Sequence, residues 1–259
     1  MTDRNMGPVN SNKILSLTLG TKNEGKRLEL LHWVETSGFP VTLATNPNAA
    51  EIEETGDTFL ENACLKARLT PPMTESGLVL AEDSGLVIDA LDGHFGLSPF
   101  PGLYSNRWLT PALYESILRN APEHLQNLVH AMPLDRLTEQ GIRNEELCAA
   151  ILALMDGQSQ RSARYCCAMA LWHQEWGLLF DTMDTTELWV LDDVPRGTNV
   201  FGYDPIMLPM QAVEGQPDLQ PGTCTMAELT TAEKNRISHR GAAFQKVCNY
   251  VAQNMDILS

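Results

Sequence analysis

The sequence predicts an α/β fold, because segments with the apolar pattern of strands alternate with segments that have the pattern of helices. Residues 14–20, ILSLTLG, are typical of a strand, and a polar loop separates them from a helical stretch that Gly38 ends. Residues 40–46, PVTLATN, predict a second strand. This succession of strand, loop, helix and strand is typical of α/β proteins.

A second helix and a long apolar segment come next. Thr58 and Glu61 form the T-x-x-E capping box of a helix that ends at Pro71 and Pro72. Residues 78–90, LVLAEDSGLVIDA, then have the apolar character of a strand, except for the acids near their middle.

The remaining sequence predicts a helical region, further strands and a helical C-terminal region. Residues 110–154 are expected to be mostly helical, with breaks at Pro122, Pro133 and Gly141. Three more strands are predicted at residues 163–173, 177–191 and 200–209, followed by a loop over residues 211–225. Near the C-terminus, Thr230 and Glu233 form another capping box, and Ser238 is a suitable N-cap for a last helix starting at His239.

The composition limits the classes of function. The 259 residues carry a net charge of −15 and are 43% hydrophobic, so we expect a substantial core and no broad nucleic-acid surface. Residues 1–12 lack the apolar stretch of a signal peptide, and no run approaches the roughly 20 apolar residues of a membrane helix. None of the six cysteines belongs to a C-x-x-C pair, which predicts reduced core thiols. We therefore expect a soluble, cytoplasmic protein that binds neither a membrane nor a nucleic-acid polymer.

The segment GTKNEGKR, residues 20–27, nearly matches the phosphate-binding motif G-x-x-x-x-G-K-[ST]. It lies between a predicted strand and a predicted helix, so Lys26 could reach phosphate groups at the helix N-terminus. Arg27 stands where that motif has the Ser or Thr that holds magnesium, which makes the match defective. The alternative is an ordinary turn with a solvated lysine.

The acids Glu82 and Asp83 interrupt an apolar strand, where an unpaired carboxylate would cost several kcal/mol. Neighbouring side chains of a strand point to opposite faces, so both acids can line one site only if the strand ends there. Because Ser84 and Gly85 favour a bend, we predict that the strand stops to present Asp83, a suitable Mg²⁺ ligand, and that Glu82 takes no part. The alternative is a solvated strand end.

Three other segments carry candidate residues. EIEETG, residues 51–56, places three glutamates before a helix, although a solvated acidic loop explains them better when the segment is taken alone. FGYDP, residues 201–205, could stack an aromatic ring on a base, but aromatic residues in a strand are more often core residues. EKNRISHRG, residues 233–241, places His239 and Arg240 in the first turn of a helix, which normally prefers acids, and this hints at a bound anion or carbonyl acceptor.

Six segments, taken in chain order, resemble the inosine triphosphate pyrophosphatase family, which acts on noncanonical purine nucleoside triphosphates. They are TKNEGK, EETGDTFLENACLKAR, AEDSGLVIDAL, PGLYSNRW, FGYDP and AELTTAEKNRISHRG, and the resemblance extends from Leu17 to about Val251. It implies an elongated two-lobed α/β fold with a long mixed central sheet flanked by helices and a substrate cleft between the lobes. It also implies a homodimer that needs Mg²⁺ to hydrolyse inosine, deoxyinosine and xanthosine triphosphates to monophosphate and pyrophosphate.

The resemblance further implies a role for individual residues. Asp83 matches the catalytic acid, as Mg²⁺ ligand or base, and Glu53 matches a second metal-linked carboxylate, with Glu54 beside it. Contacts to the triphosphate are implied for Thr21, Asn23, Lys26 and Lys66, and a further substrate contact for Ser84. Contacts to the purine are implied for Phe201, by stacking, and for Gly202, Tyr203, Asp204, Lys234, His239 and Arg240.

The chain also departs from the family pattern. The region between Arg107 and Arg164 and the loop from Met210 to Thr225 are longer than usual, and TNV stands where the family often has glycines before FGYD. We therefore predict a flexible segment over residues 1–13 and a single two-lobed domain over residues 14–259, with a longer helical insertion around residues 110–154.

Two other functions remain open from the residues alone. A P-loop-like ATPase or GTPase would explain GTKNEGKR and LVLAED, but Arg27 argues against it. A nucleotide-binding protein without catalytic activity would explain the same motifs, but the acids Glu53 and Asp83 argue against that.

Overall fold

The computed structural model describes residues 13–45, 52–120, 123, 144–186, 189–211 and 220–258. The strands in these ranges are β1 (Leu15–Leu19), β2 (Val41–Thr45), β3 (Leu78–Ile88), β4 (Ser162–His173), β5 (Gly177–Thr185), β6 (Trp189–Leu191) and β7 (Met207–Pro209). The helices are α1 (Glu24–Ser37), α2 (Phe59–Leu69), α3 (Pro111–Arg119), α4 (Asn144–Leu154), α5 (Thr231–Arg236), α6 (His239–Gln253) and α7 (Met255–Leu258). None of these described helices is both long enough and apolar enough to cross a bilayer.

The strands form one mixed sheet that forks along β4. Its order is β2-β1-β3-β4-β6-β7, with β1 parallel to β2 and β3 and the other pairs antiparallel. β4 pairs with β3 along 11 residues, while its other edge pairs with β5 over residues 166–173 and with β6 at residues 162 and 163. The long mixed sheet flanked by helices confirms the predicted fold class.

Three buried clusters pack against this sheet. The α6 core joins β1 and the first half of β3 to α1 and α6, through residues such as Leu17, Leu80 and Phe244. The α4 core lies at the other end of the sheet, where Leu86, Ile88, Ile151 and Trp189 meet. The α2 core covers the opposite face, where Phe59, Ala63 and Ala67 pack on Ala81 and Ala168. Each fully buried Leu, Ile or Phe side chain contributes roughly 1.5–3 kcal/mol.

The predicted helix boundaries agree with the structure. Thr58 with Glu61 and Thr230 with Glu233 form complete capping boxes at the starts of α2 and α5. Ser238 caps α6 by accepting a hydrogen bond from the Gly241 backbone N–H. α1 ends at Gly38, whose φ of 69° places it in the left-handed conformation that suits glycine.

Two predicted strands differ from the structure. Residues 177–191 form two strands, β5 and β6, which pair with different parts of β4. The FGYDP segment is not in a strand, because Gly202 has a φ of 54° and Pro205 lies in the 3-10 turn Asp204–Ile206. β7 begins only at Met207. The predictions for residues 1–12, 46, 51, 121–122, 124–143, 187–188, 212–219 and 259 fall outside the described residues.

The prediction that the strand stops at Asp83 is wrong, because β3 continues from Leu78 to Ile88. The neighbouring strand ends instead. β1 pairs with β3 only at Val79 and Leu80, after which the Gly20 N–H donates to the Leu80 carbonyl at 2.7 Å and the chain turns into α1. The two acids therefore lie on a continuous strand, just beyond the end of its neighbour, where a cleft opens.

Candidate active site

Glu82 and Asp83 lie on opposite faces of β3, as their neighbours in sequence do. Leu80 and Leu86 share the Glu82 face and pack in the α6 and α4 cores, whereas Ala81 packs in the α2 core on the Asp83 face. Both acids are buried, with 1% exposure for Glu82 and 5% for Asp83. Each must therefore find cationic or hydrogen-bonding partners within the protein.

The partners of Asp83 come from α2. Lys66 Nζ donates to Asp83 Oδ1 at 3.0 Å and to Glu54 Oε1 at 2.9 Å, so one ammonium group lies between two carboxylates. The fully buried Asn62 donates from Nδ2 to Asp83 Oδ2 at 3.3 Å and accepts from the Gly56 N–H at 2.8 Å. Arg107 donates to the other oxygen of Glu54 at 2.7 Å. These five residues, Asp83, Lys66, Glu54, Asn62 and Arg107, form the Asp83 cluster.

Burial and the neighbouring charges shift the pKa values of this cluster in different directions. Burial raises the pKa of Asp83 above its ordinary value, although Lys66 and Lys26 oppose that rise. Burial acts in the same direction on Glu54, but Lys66 and Arg107 outweigh it and lower the pKa of that carboxyl. Burial opposes the charge of Lys66, yet Asp83, Glu82 and Glu54 raise the pKa of its ammonium group.

Glu82 pairs with cations from two other helices. Its Oε1 lies 2.6 Å from Lys26 Nζ of α1, and its Oε2 lies 3.6 Å from Arg240 Nε of α6. Burial alone would raise the pKa of Glu82, but Lys26 and Arg240 hold it far below its usual range. The prediction that Glu82 takes no part is therefore corrected: its side chain points away from Asp83 but contacts two predicted substrate-binding residues.

Polar groups around Arg240 form one end of the cleft. Arg240 also forms an ion pair with Glu29, and its Nη2 donates to Ser84 Oγ at 3.0 Å. Ser238 Oγ donates to the other oxygen of Glu29 at 2.5 Å. Arg240 thus joins α1, β3 and the start of α6.

His239 and Asp204 belong to a second polar network at this end. The His239 ring stacks on Tyr165, with centroids 5.0 Å apart, and Tyr165 donates its hydroxyl to Asp204 Oδ1 at 3.1 Å. Lys234 Nζ pairs with Asp204 Oδ2 at 2.7 Å. Burial, and then Arg240, lower the pKa of His239 well below its ordinary value, so the imidazole is neutral.

The FGYDP segment contains two aromatic rings with different surroundings. The Phe201 ring faces the cleft, whereas the Tyr203 ring is buried below it. The Phe201 ring lies so close to Gly25 that a Cβ there would be 2.3 Å from a ring carbon, and the Arg240 guanidinium is 5.7 Å from the ring centroid. Tyr203 is 2% exposed, and its hydroxyl accepts from Trp108 Nε1 at 2.9 Å and donates to the Ser105 carbonyl at 2.5 Å. Tyr203 is therefore fixed by the core.

Two adjoining cavities bring the predicted residues together. The outer cavity, of about 630 Å³, is lined by Thr21, Asn23, Lys26, Glu53 and Lys66, and also by Glu54 and Arg107. The inner cavity, of about 130 Å³, is lined by Asn23, Lys26, Ser84, Phe201, Gly202, Tyr203, Asp204, Lys234, His239 and Arg240. Asn23, Lys26 and Asn106 line both. Of the predicted site residues, only Asp83 lines neither cavity within the described part of the chain.

Sequence reasoning missed several residues of the site. Glu29 lines the inner cavity, but in sequence it looks like one more solvated acid of an amphipathic helix. Tyr165 also lines it, although its apolar neighbours in β4 suggest a core residue. Asn62 directly follows the capping-box glutamate and gives no signal of its contact with Asp83. Glu53 is exposed and has no hydrogen-bond or ion-pair partner among the described residues, whereas Glu54 belongs to the Asp83 cluster.

The Asp83 cluster fits a divalent cation. Glu54 and Asp83 converge on a single ammonium group, so a positive charge is already placed between two carboxylate oxygens. Mg²⁺ often uses only one or two carboxylates and takes its other ligands from water and phosphates. Within the described residues, no three His, Cys, Asp or Glu side chains form a group that could hold a metal by themselves. The residues present therefore fit a cation shared with a phosphate ligand.

Comparison with known proteins identifies the family of this chain. A sequence model of the Ham1 family matches residues 17–136 and 134–250. The chain belongs to the Ham1 family. The two matched segments meet at residues 134–136, inside the predicted longer insertion.

Ham1 relatives match most of the chain. Proteins named dITP/XTP pyrophosphatase from Synechocystis sp. and Frankia alni are 32% and 35% identical to it over 232 and 243 residues. These alignments cover 90% and 92% of this chain and 93% and 98% of the relatives. The Gloeobacter violaceus protein of the same name is 35% identical, with 89% and 91% coverage.

Solved Ham1 structures share the fold. The Staphylococcus aureus Ham1 protein, 23% identical, and the HAM1 protein from Coxiella burnetii, 27% identical, both give a TM-score of 0.62. These matches cover 92% and 93% of this chain and 99% and 100% of the solved chains. At 23% identity, the similarity to the Staphylococcus aureus protein concerns the fold alone.

Proposed function

We propose that this protein hydrolyses noncanonical purine nucleoside triphosphates, namely those of inosine, deoxyinosine and xanthosine, to the monophosphate and pyrophosphate. The observation that carries the proposal is the pair of adjoining cavities. One has lysines and carboxylates for a triphosphate, and the other has an aromatic ring and polar donors for a purine. The relatives named dITP/XTP pyrophosphatase support the same activity. Such an enzyme removes damaged nucleotides from the nucleotide pool.

The outer cavity is where the triphosphate would react. Lys26 and Lys66 would pair with its phosphates, so that Lys66 leaves the carboxylates between which it now lies. Asp83 would then be available as a ligand of Mg²⁺ or as the base that orients or deprotonates the attacking water. The lysines would stabilise the negative charge that grows on the leaving pyrophosphate.

Mg²⁺ is the cofactor that we propose for this cavity. Glu54 and Asp83 would hold it, with Glu53 at the wall of the same cavity. When bound, Mg²⁺ supplies additional positive charge to the phosphates.

The inner cavity would select the base. Phe201 would stack on the purine, while Arg240 and the neutral His239 offer N–H donors to the 6-keto oxygen of inosine or xanthosine. Adenine carries a 6-amino group at that position, which is also a donor. The N–H groups of Arg240 and His239 would then find no acceptor there. A site built to bond one polar group rejects an analogue that leaves buried polar groups unpaired.

The experiment that tests the function is a panel of nucleoside triphosphates with separate readouts for pyrophosphate and orthophosphate. Inosine, deoxyinosine and xanthosine triphosphates are expected to give pyrophosphate, faster than ATP, and only when Mg²⁺ is supplied. Asp83→Asn should abolish turnover without loss of folding. Orthophosphate as the sole product, or no preference over ATP, would contradict the proposal.

A P-loop-like ATPase is less well supported by the contacts. Asn23 caps α1, accepting from the Lys26 N–H at 3.1 Å, and Lys26 Nζ pairs with Glu82. Arg27 pairs with Glu24 on the exposed side of α1, so the position of the magnesium-binding Ser or Thr holds an ion pair. Binding without turnover in Mg²⁺ would instead favour a catalytically silent nucleotide-binding protein.

The proposal also covers the oligomeric state of the protein and its location in the cell. We expect a homodimer, as the family resemblance implies, and a cytoplasmic location, as the scattered cysteines predict. All six cysteines are free thiols, which agrees with the predicted reduced state. Sedimentation of the purified protein tests the dimer, and a monomer at micromolar concentration would contradict it.

A further inference from the structure

We propose that Glu82 is a positioning residue that couples the phosphate end of the cleft to its base end. The inference rests on the proposed function, because it assigns the two ends to one nucleotide. Glu82 is not among the described residues that line the two cavities, yet it contacts Lys26, which lines both, and Arg240, which lines the inner one. It would act through Lys26 and Arg240 rather than on the substrate.

The geometry makes Glu82 a counter-ion that two helices share. One oxygen lies 2.6 Å from Lys26 Nζ, and the other lies 3.6 Å from Arg240 Nε. With 1% exposure, the carboxylate has little access to solvent. Breaking a buried ion pair on one side leaves an uncompensated charge, so the carboxylate is expected to shift towards the cation that remains.

The two cations have different tasks in the cleft. Lys26 lines both cavities and would meet the triphosphate, whereas Arg240 lines only the inner one and lies near the Phe201 ring. Arg240 has further contacts, with Glu29 and Ser84, which limit how far it can move. When Lys26 binds phosphate and leaves Glu82, the Glu82 carboxylate pairs more closely with Arg240. This pairing holds the Arg240 guanidinium in position to bind the base.

The alternative is that Glu82 only neutralises two buried cations. In that case, its removal would lower stability and overall activity equally for every nucleotide. Coupling predicts something more specific, namely that a change at Lys26 alters the choice of base only while Glu82 is present. A double-mutant cycle separates these two possibilities.

The experiment measures kcat/KM for pyrophosphate release from inosine triphosphate and from ATP, and takes their ratio. In wild-type protein, Lys26→Met is expected to change this ratio at least about fivefold, the lower end of typical coupling between sites. In the Glu82→Gln background the same substitution should change it less than about twofold. The same change in both backgrounds would overturn the proposal.

Two further variants complete the test. Cys167→Ala removes a thiol 3.7 Å from Glu82 Oε2 but leaves both cations in place, so it should preserve the coupling. Glu82→Asp keeps the charge on a shorter side chain, and it should restore part of the coupling. If Glu82→Gln does not fold, Glu82→Asp takes its place, and full wild-type coupling in that variant overturns the proposal.

The same assay separates this inference from the proposed function. If the wild-type protein releases no pyrophosphate from inosine triphosphate, the function and the coupling both fail. If it does, and the effects of the Lys26 and Glu82 substitutions on the ratio are independent, only the coupling fails.

Discussion

At the scale of single residues, the site depends on which of two neighbouring acids faces which cavity. The alternation along a strand separates Glu82 from Asp83, and this separation could be predicted from the sequence. The choice between Glu53 and Glu54 could not, because both belong to one irregular acidic segment without a periodic pattern. Only the contacts with Lys66 and Arg107 distinguish Glu54.

We expect Glu54→Gln to lower kcat/KM for inosine triphosphate roughly 100-fold, the upper end of losses seen when groups that support a metal site are removed. Glu53→Gln is the matched comparison and should cost less than Glu54→Gln, since Glu53 has no ion-pair partner among the described residues. Steady-state assays at several Mg²⁺ concentrations provide the comparison. A larger loss for Glu53→Gln would assign the metal to Glu53, as the family resemblance implies.

His239 should remain neutral where ordinary histidines become charged. Its pKa lies well below 6.5, so as pH falls below 6.5 the unfolded chain takes up a proton that the folded chain does not. The free energy of unfolding should therefore fall by up to about 1.4 kcal/mol per pH unit on this account. NMR titration of the imidazole measures the pKa, and chemical denaturation of His239→Gln should show a weaker dependence on pH. An ordinary His239 titration near pH 6.5 would contradict this prediction.

At the scale of elements, caps and turns were the most predictable features. Capping boxes and the Gly38 stop are local signals, so α1, α2, α5 and α6 could be located from sequence. The place where a strand stops pairing depends on its neighbour. The sequence of β3 therefore does not indicate where β1 ends. The same limitation applies to residues 177–191, which divide into β5 and β6 because of pairing with β4.

Gly25 connects the start of α1 to the base-binding end of the cleft. An alanine there favours a helix over glycine by up to about 1 kcal/mol, so Gly25→Ala should not lower stability. Its Cβ would nevertheless lie 2.3 Å from the Phe201 ring and displace it. Since stacking on a base is worth about 1–3 kcal/mol, we expect a KM for inosine triphosphate at least about fivefold higher.

Thermal unfolding and initial-rate kinetics check that prediction together. Glu35→Ala is the control, because it also introduces an alanine into α1, at an exposed position. An unchanged KM in Gly25→Ala would mean that Phe201 does not hold the purine.

At the scale of the whole molecule, two long strands tie the halves together. β3 and β4 contribute to the α6 core at one end and to the α4 core at the other. The two cores cannot separate without breaking both strands. The prediction of one two-lobed domain over residues 14–259 therefore implies that the two ends unfold together.

We therefore expect a single unfolding transition in denaturant. Trp33 packs on the α6 core, and Trp189 is buried in the α4 core. Variants that keep Trp33 or Trp189 as the single tryptophan, with the other four replaced by Phe, report each end by fluorescence, and circular dichroism gives an independent measure. All three curves should share one midpoint. Clearly separated midpoints for the two reporters would mean that the halves are independent domains.

The pairing of β3 with β4 also has a chemical meaning. Its 11 residue pairs place Glu82 opposite Met169 and Asp83 opposite Ala168. A slip of one residue would exchange the two faces, so that Glu82 would face Lys66 while Asp83 would face Lys26 and Arg240. A single-residue insertion or deletion early in β3 would thus leave a plausible sheet with its acids reversed.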